Sequence, residues 1–262
     1  MNAPTRKEII MRTIIVALYL VLFLVLTIPL MLFEWILGFI NPHARDVSSL
    51  AIVQWGFRCI TVLTGAKVTC TGLEKVPKDR PVLYVLNHRS IFDIVLTYTR
   101  VPRPTGFIAK KELRKVPLLN IWIYFVHTLF LDRENVREGM KTILKAIDNV
   151  KNGISILICP EGTRNKTEEP LQEFKGGSFK IATKTGCPVV PVTLVNTENM
   201  FEAHFPWIKA VPVIIEYGDP IYLENLSKDE IKDIHQTAEN IVRETYIRNR
   251  AALDEQLAAK KK

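Results

Sequence analysis

Cysteine is scarce in this chain: Cys59, Cys70, Cys159 and Cys187 are the only four, and their spacing builds no disulfide framework. They read as thiols of a reduced compartment. No group of Cys, His, Asp and Glu falls at metal-ligand spacing, so no metal is expected. His43, His127, His204 and His235 have no carboxylate at motif spacing and read as structural or surface residues. No G-x-S-x-G elbow surrounds Ser90, which argues against a hydrolase nucleophile there. Cys159, the other nucleophile a hydrolase could use, closes an apolar run and fits a small core residue. Internal repeats and long linkers are also missing. Apolar residues and positive charge are not: 48% of the 262 residues are hydrophobic, and 35 basic against 27 acidic side chains leave a formal charge of +8. That balance suits a packed fold with an anionic partner, whether nucleic acid, a phosphorylated small molecule or an acidic membrane surface.

The N-terminal segment chooses among those partners. Thr13 to Phe33 is a run of 21 residues without a charge, and ~20 suffice to cross the hydrocarbon core of a bilayer. A cleaved signal peptide has a shorter apolar region and a small-residue cleavage site, so the segment is expected to stay. The expected partner is therefore membrane lipid, not nucleic acid. Arg6, Lys7 and Arg12 hold the N-terminus in the cytoplasm, whereas the thiols ask for the same side for the remainder. Pro29 is expected to kink the run, Glu34 interrupts it, and a second apolar stretch, Val47 to Leu63, carries only Arg58. A hairpin that enters one leaflet and returns meets all of these demands; a single crossing is the alternative. Residues 1–64 are thus assigned to a membrane-anchoring helical hairpin and 65–262 to a second unit on the cytoplasmic face.

Beyond Gly65, short β-branched runs alternate with helical patterns. Strands are expected at Lys67–Thr71, Val82–Leu86, Gly106–Ile108, Ile154–Ile158, Val189–Leu194 and Val211–Tyr217. Helices are expected near Ile91–Arg100, Leu118–Phe125, Arg137–Val150 and Phe174–Lys184. A last helix starts at Ser227, with Glu230 completing a capping box and Ile231, Ile234, Ile241 and Val242 on one stripe. Such alternation predicts an α/β fold, a largely parallel mixed sheet flanked by helices.

Chemistry concentrates at Asn87-His88-Arg89-Ser90-Ile91-Phe92-Asp93, where an apolar strand gives way to a helix. Five residues along a regular helix turn a side chain well off its starting face, so His88 is expected in the turn and Asp93 in the first helical turn. A neutral imidazole so placed can take a proton from an alcohol while the carboxylate fixes its tautomer. The same residues fit a capping box, with Ser90 as N-cap and Asp93 reaching back to its amide. Three more segments place polar residues just beyond apolar runs, where α/β sheets hold ligands: Phe130-Leu131-Asp132-Arg133, Pro160-Glu161-Gly162-Thr163-Arg164, and Phe174-Lys175-Gly176-Gly177-Ser178. Gly162 permits close backbone approach, and Arg164 offers a fork suited to a phosphate.

In this order the segments resemble the glycerolipid acyltransferase superfamily, and within it the bacterial 1-acyl-sn-glycerol-3-phosphate acyltransferases. Asn87 to Asp93 matches the family's N-H-x-x-x-x-D block, and Phe130 to Arg133 resembles the second. Pro160 to Arg164 matches the P-E-G-T-R block, and Val190-Pro191-Val192 looks like the fourth. Lys110-Lys111-Glu112-Leu113, followed by Pro117, also resembles a stretch this family carries. Cys159 departs from it, since Phe is more usual there. The resemblance implies acyl transfer from a thioester to the sn-2 hydroxyl of lysophosphatidate, with His88 and Asp93 as the base pair. It also implies that Arg164 and Arg133 bind the acceptor phosphate, helped by Lys110 or Lys111, and that Asn87, Glu161, Gly162 and Thr163 shape the substrate pocket. Glu161 either binds the glycerol hydroxyls or only braces the turn. No cofactor is implied beyond the thioester co-substrate, carried by coenzyme A or acyl carrier protein. The rival readings are transfer to another lysophospholipid or to glycerol 3-phosphate, a thioester or lipid hydrolase, and a non-enzymatic lipid binder.

Overall fold

The structure is a computed structural model that describes residues 5–131 and 135–259. Three helices open it: α1 (Arg6–Leu26), α2 (Ile28–Ile40) and α3 (Pro42–Thr64). α1 starts at a capping box between Thr5 and Glu8, and Asn41 caps α3 by accepting the Ala44 amide. The expected kink at Pro29 lies instead at Thr27. The Thr27 hydroxyl donates back to the Phe23 carbonyl at 2.7 Å and accepts the Trp122 indole N–H at 3.0 Å. Pro29 falls in the first turn of α2, where its missing N–H leaves no ladder bond unmade. Glu34 does not interrupt α2. Its fully buried carboxylate accepts hydroxyls from Ser48 at 2.6 Å and Ser49 at 3.0 Å, tying α2 to α3.

α1 and α3 are both long and apolar enough to cross a membrane, but they are used differently. α1 presents Ile14, Leu18, Val21, Leu22, Val25 and Leu26 to the outside, a surface that only lipid or protein would cover. α3 lies on the α/β part: the Gln54 side-chain amide donates to the Tyr98 and Val101 carbonyls at 3.1 and 2.8 Å, and Arg58 to the Thr99 carbonyl at 3.3 Å. Leu50, Val53 and Ile60 of α3 join Leu96, Tyr98 and Trp122 in one apolar core. That core runs unbroken past Gly65, whose left-handed φ of 67° ends α3.

Seven strands follow: β1 (Lys67–Thr71), β2 (Leu83–Leu86), β3 (Thr105–Lys110), β4 (Leu129–Leu131), β5 (Ser155–Ile158), β6 (Val189–Val195) and β7 (Pro212–Tyr217). They lie in the order β1-β7-β6-β2-β5-β3-β4, parallel except for the β6–β7 pair. The six expected strands are present. β4 is additional, and its three residues are too few to show a period of their own. β2 displays why both faces of this sheet are apolar: Tyr84 and Leu86 face the core shared with α3, α4 (Phe92–Tyr98) and α5 (Leu119–Phe125). Leu83 and Val85 face the opposite core, under α6 (Val136–Lys151), α7 (Lys180–Thr185) and α9 (Ile234–Ala259).

Two helices depart from expectation. The segment from Phe174 begins not as an α-helix but as a buried Phe174, an exposed Lys175 and a 3-10 turn at Gly176–Phe179, because paired glycines are poor α-helix starters. The helix expected from Ser227 breaks at Asp233 into α8 (Lys228–Lys232) and α9. The Ser227–Glu230 capping box is present, and of the stripe Ile234 and Val242 are fully buried.

Candidate active site

β2, β3 and β5 run parallel and end on the same side of the sheet, each delivering a polar segment there. β2 leads into His88, β3 ends at Lys110, and β5 leads into Cys159 to Arg164. Between them opens a cleft of about 610 Å³ lined by His88, Lys110, Cys159, Gly162, Thr163 and Arg164. Its other wall is apolar, with Ile94, Phe107, Leu113, Leu131, Met140 and Ile143. A cleft of this size, apolar with a few converging polar groups, is what an amphiphilic ligand requires.

His88 sits in the turn and Asp93 in the first turn of α4, as expected, with Nδ1 of His88 2.9 Å from Oδ2 of Asp93. Asp93 is fully buried. Its Oδ2 also accepts the backbone amides of Arg89 and Ser90, both at 2.7 Å, and its Oδ1 accepts the Thr197 hydroxyl at 2.5 Å. One carboxylate thus meets both the His88 ring and the Ser90 amide, but only half of the expected capping box is present: Ile91, not Ser90, precedes α4, and its side chain makes no cap. Ser90 contributes as well, its hydroxyl accepting the Phe92 amide at 3.1 Å. Four donors fix the carboxylate, and it fixes the ring. With Nδ1 committed to Asp93, Nε2 is the nitrogen left to take a proton. Burial disfavours the charged ring, but the Cys159 sulfur and the Asp93 carboxylate beside it act the other way and prevail, so the His88 pKa lies above the ordinary histidine value.

Glu161 is a brace. It is buried, its Oε1 accepts the His88 amide at 2.5 Å and its Oε2 the Gln172 amide at 2.8 Å, joining the two motif loops. Burial pushes its carboxyl up to about 7, against the pull of those two amides. Gly162 holds φ at 78°, a left-handed conformation that favours glycine, and the Lys175 ammonium lies against its Cα, where a Cβ would displace only that flexible end. Asn87 corrects an expectation: it does not line the cleft. It is fully buried, and its amide exchanges two hydrogen bonds with the Leu194 backbone, at 2.9 and 2.8 Å. Asn87 thus locks the end of β2 to β6 just before His88.

A model of the acyltransferase family matches residues 67–195. The 1-acyl-sn-glycerol-3-phosphate acyltransferase of Borreliella burgdorferi is 34% identical over 179 residues, covering 67% of this chain and 71% of that one. The chain belongs to the acyltransferase family. The protein of the same name from Haemophilus influenzae is 30% identical over 231 residues, covering 85% of this acyltransferase and 91% of the relative. The crystal structure of the 1-acyl-sn-glycerophosphate acyltransferase of Thermotoga maritima superposes with a TM-score of 0.80 at 25% identity, over 93% of this chain and 96% of that one.

The structure brings His88, Lys110, Gly162, Thr163 and Arg164 of the acyltransferase's expected site residues to one cleft, and buries Asp93, Asn87 and Glu161 outside its lining. Arg164 and Lys110 reach the cleft, and Lys110 pairs loosely with Glu112 at 3.8 Å. Arg133 lies outside the described residues. Three contributors were not anticipated. Lys166 adds positive charge to the cleft, beside Lys175 of the third expected polar segment. Thr197 buttresses Asp93 from 104 residues away, and Arg89 donates to the carbonyls of Thr167 and Glu169, both at 2.8 Å, clamping the loop after Arg164. Such contacts depend on the sheet order, and no local pattern announces them. Cys159, expected as a small core residue, instead lines the cleft beside His88.

Proposed function

We propose that this acyltransferase moves a fatty acyl group from a thioester to the sn-2 hydroxyl of lysophosphatidate, giving phosphatidate for phospholipid synthesis. The observation that carries the reading is the 2.9 Å His88–Asp93 contact, with His88 lining a cleft that Arg164 also lines. The Nε2 atom of His88 removes the hydroxyl proton as the oxygen attacks the thioester carbonyl carbon. Asp93 stabilises the imidazolium that forms. The tetrahedral adduct then collapses, the carbon–sulfur bond breaks, and the imidazolium returns its proton to the departing thiolate. No acyl-enzyme is needed. A positioned base supplies roughly 10²–10⁴-fold, so alignment of the two substrates along the cleft supplies much of the rest. Arg164, with Lys110 near it, receives the acceptor phosphate, and the apolar wall accommodates an acyl chain. The activity for which the Borreliella burgdorferi and Haemophilus influenzae relatives are named supports lysophosphatidate as acceptor. Coenzyme A and acyl carrier protein both present the required thioester.

The exposed apolar face of α1 supports a position at a membrane, where the acceptor's acyl chain would reside. The basic start of α1 and four free cysteines favour the cytoplasmic face. An acceptor panel tests the reading: purified enzyme in detergent should acylate lysophosphatidate faster than glycerol 3-phosphate or lysophosphatidylethanolamine. Preference for either of the others would reassign the acceptor.

A further inference from the structure

The connection between β6 and β7 displays a surface that acyl transfer does not use. Phe205, Pro206 and Trp207 are consecutive exposed apolar residues, with Phe205 74% exposed. Their backbone is pinned. The Ile208 amide donates to the Thr13 hydroxyl of α1 at 2.9 Å, the Lys209 amide to the Met200 carbonyl at 2.9 Å and the Trp207 amide to the His204 carbonyl at 2.8 Å. The Phe205 ring meets Phe201 edge-on, with centroids 5.3 Å apart. Between this turn and the start of α1 lies a second cavity, of about 600 Å³, whose lining includes Arg6, Ile9, Glu202, Phe205, Trp207 and Lys209. Glu202 is matched by Arg164 of the catalytic cleft, 2.8 Å away. His204, also in the lining, is kept uncharged by burial and by Lys209 beside it, both of which lower its pKa. Arg6 and Lys209 have no carboxylate partner among the described residues.

Thr13, to which the turn is fastened, opens the uncharged run of α1, and Arg6, Lys7 and Arg12 precede it. A helix rises about 1.5 Å per residue, so Arg6 lies roughly 10 Å before that point along the axis. With α1 in lipid, the turn and its cavity fall at the boundary between headgroups and acyl chains, where tryptophan collects and Lys or Arg meets anionic headgroups. The turn also adjoins the exposed Ile14 and Ile15, so its apolar surface continues that of α1. Two unpaired cations beside two exposed aromatics match an anionic amphiphile in both its parts. We propose that this cavity and the Phe205–Trp207 turn form a docking surface for anionic phospholipid of the bilayer, separate from the acceptor site at Arg164. Arg6 and Lys209 take the phosphate, and Phe205 and Trp207 enter among the uppermost acyl carbons. The inference rests on the reading that α1 lies in a membrane.

The test places the full chain in vesicles of equimolar phosphatidylcholine and phosphatidylglycerol. One lipid or the other carries bromine near the top of its acyl chains, as a quencher of tryptophan fluorescence. Trp207→Phe supplies the background from Trp35, Trp55 and Trp122, and its subtraction leaves the Trp207 signal. One cation near an anionic surface enriches anionic lipid roughly fivefold, so brominated phosphatidylglycerol should quench Trp207 several-fold more than brominated phosphatidylcholine does. Changing both Arg6→Gln and Lys209→Gln should bring that ratio close to one while quenching by phosphatidylcholine persists. Lys209→Gln alone should lower the ratio part-way, and it decides should the double variant not fold. A Trp207 that neither lipid quenches, equal quenching by both in the wild type, or a ratio unmoved by the Gln variants would overturn the proposal. Quenching by brominated lysophosphatidate but not by brominated phosphatidylglycerol would also overturn it, by giving the cavity to the acceptor. Failure of the underlying membrane reading shows separately, as a wild-type chain that does not float with the vesicles.

Discussion

Asp93→Asn is the substitution that best isolates charge from shape. The amide is nearly isosteric with the carboxylate, and its oxygen can replace Oδ2, still accepting from His88 Nδ1 and from the Arg89 and Ser90 amides. Its NH₂ then faces Thr197, whose hydroxyl rotates from donor to acceptor. The start of α4 therefore survives. What disappears is the negative charge that stabilises the imidazolium in the transition state. Weakening charge-assisted hydrogen bonds to neutral ones should cost stability by up to about 1.5–3 kcal/mol, whereas the loss of an effective base should cost roughly 10²–10⁴-fold in kcat. A thermal melt and single-turnover formation of phosphatidate from labelled thioester separate the two. The expected result is a modestly lowered Tm with a rate reduced a hundredfold or more. A variant that melts lower yet turns over near the wild-type rate would mean that Asp93 serves only the helix, and the reasoning would be refuted.

Arg164→Ala should mainly raise the KM for the phosphorylated acceptor, by roughly tenfold, since a charged contact of this kind is made before the transition state. Arg164→Lys should recover only part of the loss, because a point charge lacks the planar fork; a rise in the thioester KM instead would move Arg164 to the donor side. Only the neutral imidazole can accept a proton, so the rate should climb with pH through the His88 pKa, with its acid limb above the ordinary histidine value of ~6.5. Cys159→Ala removes one of the groups that raise that pKa, so the limb should move to lower pH; a limb that stays in place would show that the sulfur has no part in it. For topology, Ala3→Cys and Asn225→Cys should both resist a membrane-impermeant thiol reagent added from outside intact cells and both react after permeabilisation. Labelling of just one of the two from outside would establish a crossing.

The sequence made the chemistry more legible than its surroundings. His88 and Asp93 are linked by a local turn, and their contact follows from a five-residue spacing at a strand-to-helix junction. Strands such as β2 and β6 are visible because burial on both faces leaves an unbroken apolar run. What escaped is whatever depends on sheet order. Asn87 was expected to shape the substrate pocket through the family resemblance, yet β6 lies beside β2 and takes both of its hydrogen bonds. Thr197 and Glu202 belong to the connection between β6 and β7, and nothing near them in sequence says that they meet Asp93 and Arg164. Pro29 misled for a different reason, because a proline in the first turn of a helix is tolerated and the break belongs to Thr27.

The most direct test of the central claim is the fate of a labelled acyl thioester incubated with purified enzyme and lysophosphatidate, for the wild type and for His88→Ala. Label should appear in phosphatidate for the wild type, and almost none for a folded His88→Ala enzyme. Label released as free fatty acid would identify a hydrolase, and undiminished phosphatidate from His88→Ala would contradict the base assignment.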